Sequence, residues 1–520
     1  MNNYKLHLIL TIAFLTMGIA LYSQQNASTE NASKKPNILF LVIDDLKPVL
    51  GVYGDTNVKT PGLDQLAGEG VLFENAYCQQ AVCAPSRISF FTGKRPDRTK
   101  VYDLHTNMRD MVPDIITAPQ FFKAHGYTTV GLGKLMHGAK RNDPVSWSIH
   151  TKKDDKLNYA NGFTYPAEGK YQNPEIRVAS EEADAQNLNW KQTKKYLVSK
   201  NLFPATECLD VPDDAYADGA IAEAGIKLMK NLSKKDKPFF IALGFHKPHL
   251  PFVAPKKYWD MYDRDKIEKN PFQKHAKNSP DFAYQTWGEL RAYSDIPEEG
   301  PLPDDKQKEV IHGYWASVSY VDAQVAKVLQ ALKKLGLEEN TIVVLWGDHG
   351  WHLGDHGLWC KHTNFEQATK VPFIIKAPGY KKGVKASTMT ELVDVFPTLV
   401  DYAGLEIPDY LEGQSLIPVL VNPETQIKDY AISQYFRGKN IMGYSLRTKR
   451  YRLTLWLKGD FKHNDLFRDP VIAATELYDY KTDPQEKVSL ANDPAYAQVV
   501  DSLKTKLLKL LVEQADQYQK

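Results

Sequence analysis

The chain has 520 residues, of which 43% are hydrophobic, 25% charged and 11% aromatic. This composition is that of an ordinary globular protein and excludes a disordered chain, a collagen-like repeat and a bundle of membrane spans. The formal net charge is +2, from 65 Lys and Arg against 63 Asp and Glu, so bulk charge does not favour a nucleic-acid partner, and none is expected.

A basic and apolar segment opens the chain. Lys5 precedes an apolar stretch over residues 8–21, and the small residue Ser23 ends it before a polar run. We interpret residues 1–23 as a signal peptide and residues 24–35 as a linker. A membrane anchor is the alternative, but the stretch is shorter than the ~20 residues of a span, so no stable span is expected. The sequence therefore predicts an exported protein, either periplasmic or secreted, with access to calcium.

Three apolar runs further along the chain each end at polar residues. These runs cover residues 38–43, 238–245 and 341–346. Helical patterns lie between them at residues 213–231 and 312–335. Strands that alternate with helices predict an α/β sheet, in which ligands bind beyond the carboxyl ends of the strands. The polar residues at these ends are Asp44, Asp45, His246, Asp348 and His349.

Two other regions differ from this pattern. Residues 140–210 are polar and broken by Pro and Gly, so they form either an insertion that shapes the rim of a site or a simple surface excursion. From about residue 430, strand-like segments at 441–448 and 451–457 precede a helical tail that ends near Gln519. We expect a main domain over residues 36–425 and a smaller α+β domain over residues 426–520.

The segment Cys83-Ala84-Pro85-Ser86-Arg87 carries the most specific motif in the chain. Pro85 suits the first turn of a helix, which would place Cys83 at a helix N-terminus, where free N–H groups favour an anion. Arg87 lies four residues on and returns to the same helix face. A buried structural cysteine is the alternative for Cys83.

This Cys-x-Pro-Ser-Arg motif resembles that of the type I sulfatases of the alkaline-phosphatase-like superfamily. The resemblance implies that a separate maturation enzyme oxidises Cys83 to Cα-formylglycine (3-oxoalanine), whose hydrated aldehyde is the nucleophile. It also implies a large mixed, mostly parallel sheet flanked by helices, followed by a smaller C-terminal α+β domain. The expected activity is that of a sulfuric ester hydrolase.

Sulfate-ester hydrolysis needs a cation to offset negative charge, and oxygen ligands suit calcium. The resemblance implies one Ca²⁺ per chain, held by two polar pairs and by one oxygen of the modified Cys83. Adjacent acidic residues alone are more often a solvated loop, but their placement after two strands favours a metal site. The two pairs are Asp44 with Asp45, and Asp348 with His349.

The segment from Gly133 to His137 resembles the Gly-Lys-x-x-His segment of the family. In that segment Lys134 and His137 would point at the sulfate group and at the formylglycine diol. We expect a short loop turned by Gly131 and Gly133 to carry them.

Two further catalytic residues follow from the resemblance. His246 would protonate the leaving alcohol and is preferred to His249 because it directly follows a strand. Lys361 would grip the sulfate group together with Arg87 and Lys134. One diol hydroxyl would attack sulfur, and the second, deprotonated with help from His137, would expel sulfate.

The segments at residues 102–103, 246–252 and 347–351 most resemble the iduronate-2-sulfatase branch. The implied substrate is a sulfated carbohydrate that contains uronic acids, either a glycosaminoglycan or an algal polymer such as ulvan. Cys360 before Lys361 departs from the branch pattern. Alternatives are a phosphonate or phosphodiester hydrolase of the same superfamily and a non-catalytic protein that binds sulfated glycans. Among Cys78, Cys208 and Cys360 at most one disulfide can form.

Overall fold

The computed structural model describes residues 35–137, 143–149, 157–160, 166–167, 170–284 and 288–517. The predicted signal peptide and all but the last residue of the predicted linker lie outside these described residues. Among the helices that are described, none has both the length and the apolar composition that crossing a bilayer requires.

The described residues form thirteen strands and fourteen α-helices. The strands are β1 (Asn37–Ile43), β2 (Val71–Tyr77), β3 (Thr128–Gly133), β4 (Thr206–Leu209), β5 (Phe239–Phe245), β6 (Phe252–Pro255), β7 (Thr341–Gly347), β8 (Phe373–Lys376), β9 (Val384–Glu391), β10 (Ala431–Arg437), β11 (Ile441–Arg447), β12 (Tyr451–Lys458) and β13 (Ile472–Asp479). The helices are α1 (Pro61–Gly68), α2 (Cys83–Thr92), α3 (Pro96–Thr99), α4 (Met108–Met111), α5 (Ala118–Ala124), α6 (Pro174–Ala185), α7 (Trp190–Ser199), α8 (Ala217–Leu232), α9 (Lys256–Trp259), α10 (Asp304–Lys334), α11 (Glu366–Thr369), α12 (Val395–Tyr402), α13 (Ile417–Val421) and α14 (Ala497–Gln517).

The main sheet has seven strands in the order β3-β5-β1-β7-β8-β2-β9. β8 runs antiparallel to its neighbours β7 and β2, and the other pairs are parallel. Every residue of β1, β5 and β7 is buried, which explains their continuous apolar sequences. The predicted fold class, a mixed and mostly parallel sheet flanked by helices, is confirmed.

Helices cover both faces of this sheet. Alternate residues of β1 point to opposite faces, so Leu39 and Leu41 join one apolar core while Phe40 and Val42 join another. The first core includes residues of α1, α8 and α10, and the second includes residues of α2, α5 and α12. The sheet is thereby held at the centre of the molecule, with the ends of its strands free to form a site.

Both predicted helices are present with different starting points. The pattern at residues 213–231 corresponds to a short turn at Asp213–Ala215 followed by α8. The pattern at residues 312–335 corresponds to α10, which begins eight residues earlier, at Asp304. Residues 304–309 are polar, so hydrophobic periodicity does not reveal this first part of the helix. Asp304 and Asp305 stabilise its first turn through the helix dipole.

The C-terminal residues form an antiparallel sheet in the order β10-β11-β12-β13, with α14 packed against it. β11 and β12 correspond to the two predicted strand-like segments. The sheet contacts the segment before α2, where Ser433 Oγ donates to Cys78 O at 2.6 Å and Gln434 N donates to Gln79 O at 2.7 Å. The division of domains near residue 425 stays a prediction.

The four cysteines are all among the described residues and none forms a disulfide. Cys78, Cys83 and Cys360 are buried, and Cys208 is exposed. The stability of the fold therefore rests on its cores and hydrogen bonds and not on covalent cross-links.

Candidate active site

The predicted polar residues meet at one edge of the main sheet. β5, β1 and β7 are neighbouring parallel strands, so their carboxyl ends lie side by side. Asp44 and Asp45 follow β1, Asp348 and His349 follow β7, and His246 follows β5. The N–H group of Asp45 donates to Asp348 Oδ1 at 3.0 Å, which joins the ends of β1 and β7 directly.

Helix α2 brings Cys83 and Arg87 to the same edge. Cys83 is the first residue of the helix, as the position of Pro85 in the first turn predicts, and Val82 before it is extended. Arg87 lies one turn later and is fully buried. A long basic side chain is tolerated there because carboxylates and carbonyl groups accept from its guanidinium.

The Arg87 guanidinium links three segments of the chain. Its Nη2 donates to Asp44 Oδ1 at 2.9 Å and its Nε donates to Asp348 Oδ2 at 2.7 Å. Its Nη1 donates to the carbonyl groups of Lys134 and Leu135. Arg87 therefore connects the ends of β1 and β7 to the segment that follows β3.

The Cys83 thiol lies between two basic side chains. Lys134 Nζ is 3.5 Å from Cys83 Sγ and also contacts Asp44 Oδ2. His349, which follows β7, has its Nε2 at 3.4 Å from Cys83 Sγ. Of the predicted catalytic residues, Arg87 and Lys134 thus both contact Asp44, and Lys134 also contacts Cys83.

Lys361 reaches the same cluster from a loop after β7. Its Nζ donates to Asp45 Oδ1 at 3.0 Å and to Oδ2 at 2.9 Å. The side chain is buried, and its ammonium group lies 5.1 Å from the centre of the Trp351 ring. Lys361 is therefore brought to the carboxylate pair beside Cys83.

Four side chains in this cluster fit a divalent cation. The potential ligand atoms of Asp44, Asp45, Cys83 and His349 all lie within 4.8 Å of one another, and all four residues are buried. Carboxylate oxygens suit a hard cation such as Ca²⁺, whereas a thiol does not. An oxygen atom at position 83 would complete the set better than sulfur, and the modification of Cys83 stays a prediction.

Asp348 is adjacent to this set but is used differently. Its Oδ1 accepts the N–H groups of Asp45 and His349, at 3.0 and 2.9 Å, and its Oδ2 accepts from Arg87. Both of its oxygens are therefore already engaged. The predicted role of Asp348 as a metal ligand stays a prediction.

Burial and nearby charges shift the proton affinities in the cluster. Burial raises the pKa of Asp45 well above its usual range, and Lys361 only partly opposes this. Burial also opposes ionisation of Asp44, but Lys134 and Arg87 outweigh it and hold its pKa well below the usual range. Burial lowers the proton affinity of His349, but Asp348 and Asp45 outweigh it and raise its pKa to about 9.

His246 lies beside this group of charges at the end of β5. The backbone N–H of His246 donates to Asp218 Oδ1 at 2.7 Å, and the backbone N–H of Lys247 donates to Asp218 Oδ2 at 2.8 Å. Burial, together with the charge of Lys134, lowers the pKa of His246 to about 3. The imidazole is therefore neutral at pH 7 in the free protein.

His137, the remaining predicted residue, follows β3 by four positions and has a positive φ of 65°. It is half-buried, and its catalytic role stays a prediction.

The expected loop at Gly131 and Gly133 is wrong in detail, because both glycines belong to β3. Gly133 has a φ of 73°, and a Cβ atom there would lie 2.1 Å from the carbonyl oxygen of Gly244 on the adjacent β5. Glycine is thus required by the close approach of two strands, and the loop begins at Lys134.

The structure also adds residues that no motif indicated. Glu289 contacts Lys361, His249 and His362. Tyr314 donates from its hydroxyl group to Asp45 O at 2.7 Å and so supports the loop after β1. Neither residue could be predicted from the sequence, because neither belongs to a motif that indicates a functional site.

Comparisons with known proteins show the family of this chain. The family model described as Sulfatase matches residues 36–405, and the model described as N-sulphoglucosamine sulphohydrolase, C-terminal, matches residues 354–513. Iduronate 2-sulfatase of Mus musculus is 34% identical, over 95% of this chain and 98% of its own length. An ulvan-active sulfatase of Formosa agariphila is 28% identical, over 93% of this chain and 82% of its own length.

Solved structures share the fold. A chain in complex with its substrate D-glucosamine-2-N,6-O-disulfate has a TM-score of 0.68 at 21% identity and covers 94% of this chain and 98% of its own. Phosphonate monoester hydrolase from Silicibacter pomeroyi has the same TM-score and identity and covers 92% and 96%. From the family model and the identity to iduronate 2-sulfatase, this chain belongs to the sulfatase family and is a sulfuric ester hydrolase.

Proposed function

We propose that this sulfatase removes sulfate from a uronic-acid-containing polysaccharide or oligosaccharide and that it acts through formylglycine at position 83. The observation that carries this proposal is the position of Cys83 at the start of α2. Its Sγ lies 3.5 Å from Lys134 Nζ and 3.4 Å from His349 Nε2, beside the carboxylates of Asp44 and Asp45. A nucleophile at this position would meet an anionic group held by basic side chains.

The relatives support the substrate class. One is named for iduronate, which is a uronic acid, and another is named for activity on ulvan. Both names support a sulfated polymer that carries carboxylates, either a glycosaminoglycan or an algal polymer. We also propose that the protein is exported, which would expose it to such polymers and to calcium.

A modified residue 83 and one bound Ca²⁺ complete the proposed site. A formylglycine-generating maturation enzyme would oxidise Cys83, and the hydrated aldehyde supplies the attacking hydroxyl group. One Ca²⁺, held by Asp44, Asp45, His349 and residue 83, with Asp348 as a further ligand, offsets negative charge on the sulfate oxygens when bound.

Lys134 and Lys361 are the basic groups that we assign to the sulfate oxygens. Each now contacts an aspartate, Asp44 or Asp45, and would exchange part of that contact for the anionic ester. Arg87 has its donors on Asp44, Asp348 and two carbonyl groups. We therefore assign Arg87 to holding the carboxylates in place and only indirectly to the sulfate group.

His246 is assigned as the general acid for the leaving alcohol. It is neutral in the free site because burial and Lys134 lower its pKa to about 3. An anionic ester adds negative charge beside it, which favours protonation of the imidazole. His137 is assigned to take a proton from a hydroxyl group of residue 83 when sulfate is released.

Replacement of Cys83 tests the reaction. We expect Cys83→Ser to abolish turnover, because an unoxidised serine has a single hydroxyl group and lacks the second one that would release sulfate. The assay is sulfate release from 4-nitrophenyl sulfate after co-expression with the maturation enzyme, with the mass of the peptide carrying residue 83. The exposed Cys208→Ser variant is the matched control and should keep full activity. Activity in Cys83→Ser while the peptide mass shows unoxidised serine, or full activity with unmodified cysteine, would refute the mechanism.

Substrate assays test the remaining alternatives. Sulfate release is measured across defined sulfated oligosaccharides with and without uronic acids, and hydrolysis of an aryl phosphonate ester is measured in parallel. Faster phosphonate turnover would favour a phosphonate or phosphodiester hydrolase. Binding of sulfated glycans without any release, from fully matured protein, would favour a non-catalytic binding protein.

A further inference from the structure

A half-buried carboxylate without a role in the proposed reaction lies beside Lys361. Glu289 Oε1 is 3.2 Å from Lys361 Nζ, and the Glu289 side chain is 15% exposed. His249 Nε2 is 3.4 Å from Oε1, and His362 Nε2 is 3.6 Å from Oε2. One carboxylate thus contacts three basic side chains of the site.

A second set of contacts connects Glu289 to the C-terminal sheet. The ring of His362 bonds through Nδ1 to the hydroxyl group of Tyr435 at 2.7 Å, and its backbone N–H donates to Ala81 O at 3.1 Å. Tyr435 is a buried residue of β10 in the C-terminal sheet. A continuous polar chain therefore runs from this sheet through His362 and Glu289 to Lys361.

The charges around Lys361 indicate what this chain does. The ammonium group has two carboxylate neighbours, Asp45 and Glu289. In the proposed function the charge of Asp45 is shared with a cation, which weakens its hold on Lys361. Glu289 is not one of the proposed metal ligands, so its charge is not shared with the cation. It can therefore keep the ammonium group in place when the cation and substrate are bound.

We propose that Glu289 is a positioning residue that holds the Lys361 ammonium group toward the sulfate group of the substrate, and that His362 and Tyr435 hold Glu289. This inference rests on the proposed function, since it concerns the residue assigned to the sulfate oxygens. Glu289 acts through Lys361 and does not itself touch the reacting atoms.

Glu289→Gln is the direct test, because glutamine keeps the shape of the side chain and removes its charge. We expect kcat/KM for 4-nitrophenyl sulfate to fall about 10- to 100-fold, with weaker binding of inorganic sulfate in the presence of Ca²⁺. Glu289→Asp retains the charge and should keep more activity than Glu289→Gln. Tyr435→Phe should show a smaller loss, of about 2- to 10-fold, since it acts two contacts away.

A double-mutant cycle separates positioning from a general structural role. In a Lys361→Met background, we expect Glu289→Gln to cause little further loss, because the group that it positions is gone. Glu338→Gln is the matched control, since Glu338 pairs with Lys376 beyond the opposite end of β7 and should keep wild-type activity. Thermal unfolding of each variant identifies losses that come from unfolding.

Three outcomes would overturn the inference. These are additive losses in the double variant, wild-type kcat/KM in Glu289→Gln, and equal sulfate affinity in Glu289→Gln and the wild type. Calorimetric binding of inorganic sulfate is independent of turnover. If the matured wild type hydrolyses no sulfate ester, the proposed function fails, and the sulfate affinities of the two proteins still decide the role of Glu289.

Discussion

Arg87 is fully buried, and its hydrogen bonds determine how the ends of β1 and β7 face one another. Its planar guanidinium bonds to Asp44 on one side and Asp348 on the other, while a third edge bonds to carbonyl groups after β3. A lysine carries the same charge but lacks this fork of donors. The geometry of the site therefore depends on the shape of this side chain as well as on its charge.

Arg87→Lys is accordingly expected to lower kcat/KM by about 100-fold or more and to destabilise the protein by about 1 to 3 kcal/mol, since an ammonium group cannot keep all the hydrogen bonds of the guanidinium and leaves a buried acceptor unsatisfied. Sulfate release and urea unfolding measure the two effects. Arg468→Lys is the control, because the ion pairs of Arg468 with Asp465 and Asp516 are partly or fully exposed. Wild-type activity in Arg87→Lys would contradict this reading of the side chain.

Whole elements are joined by a second buried ion cluster, at the end of β9. Glu391 accepts from Arg95 Nη1 at 2.6 Å and from Lys428 Nζ at 2.7 Å. It also accepts the N–H of Ile432, in β10, at 2.9 Å. This carboxylate therefore connects the edge of the main sheet to the first strand of the C-terminal sheet.

The cluster predicts a component of acid stability. Burial opposes ionisation of Glu391, but Arg95 and Lys428 outweigh it and lower its pKa from 4.5 to about 2. A carboxylate whose pKa is lower in the folded state stabilises it above the unfolded pKa. Its contribution, on the order of 3 kcal/mol, is thus present above about pH 4.5 and is lost as pH falls toward 2.

We expect Glu391→Gln to lower the free energy of unfolding at pH 7 and to flatten its fall between pH 4.5 and 2. Urea unfolding over this pH range measures both effects. The exposed Glu182→Gln variant is the control and should have the same free energy of unfolding at pH 7 as the wild type. Parallel pH curves for Glu391→Gln and the wild type would contradict the assignment.

At the scale of the whole molecule, the candidate active site is the place where otherwise separate parts meet. Three strand ends supply the acidic residues and His246, α2 supplies residue 83, and the C-terminal sheet reaches the site through Tyr435. The acidic groups are balanced by Arg87, Lys134 and Lys361. The fold therefore does not need a cation to offset these charges.

Calcium removal should accordingly abolish sulfate release while leaving the fold intact. We expect chelation with EDTA to lower Tm, and added Ca²⁺ to restore about 2.7 kcal/mol of stability at 100 times its Kd. Far-UV circular dichroism should change little. Asp45→Asn should lose most of the calcium-dependent rise in Tm, whereas the exposed Asp260→Asn should retain it. A Tm of the matured wild type that is independent of calcium would rule out the proposed site.

The sequence by itself determined the buried strands, the start of α2 and the two polar pairs that follow β1 and β7. These features are local: a strand buried on both faces needs a continuous apolar run, and Pro85 favours the first turn of a helix. The first turns of α10 escaped prediction because their residues are polar.

Only the tertiary structure decided that Glu289 lies beside Lys361 and that Tyr435 lies beside His362. Glu289 is 72 positions from Lys361, and Tyr435 is 73 positions from His362. Contacts between such distant segments depend on how the sheets pack, and no periodicity or motif encodes them. The same holds for Arg87, whose helix position was readable but whose partners became known only when the ends of β1 and β7 were placed side by side.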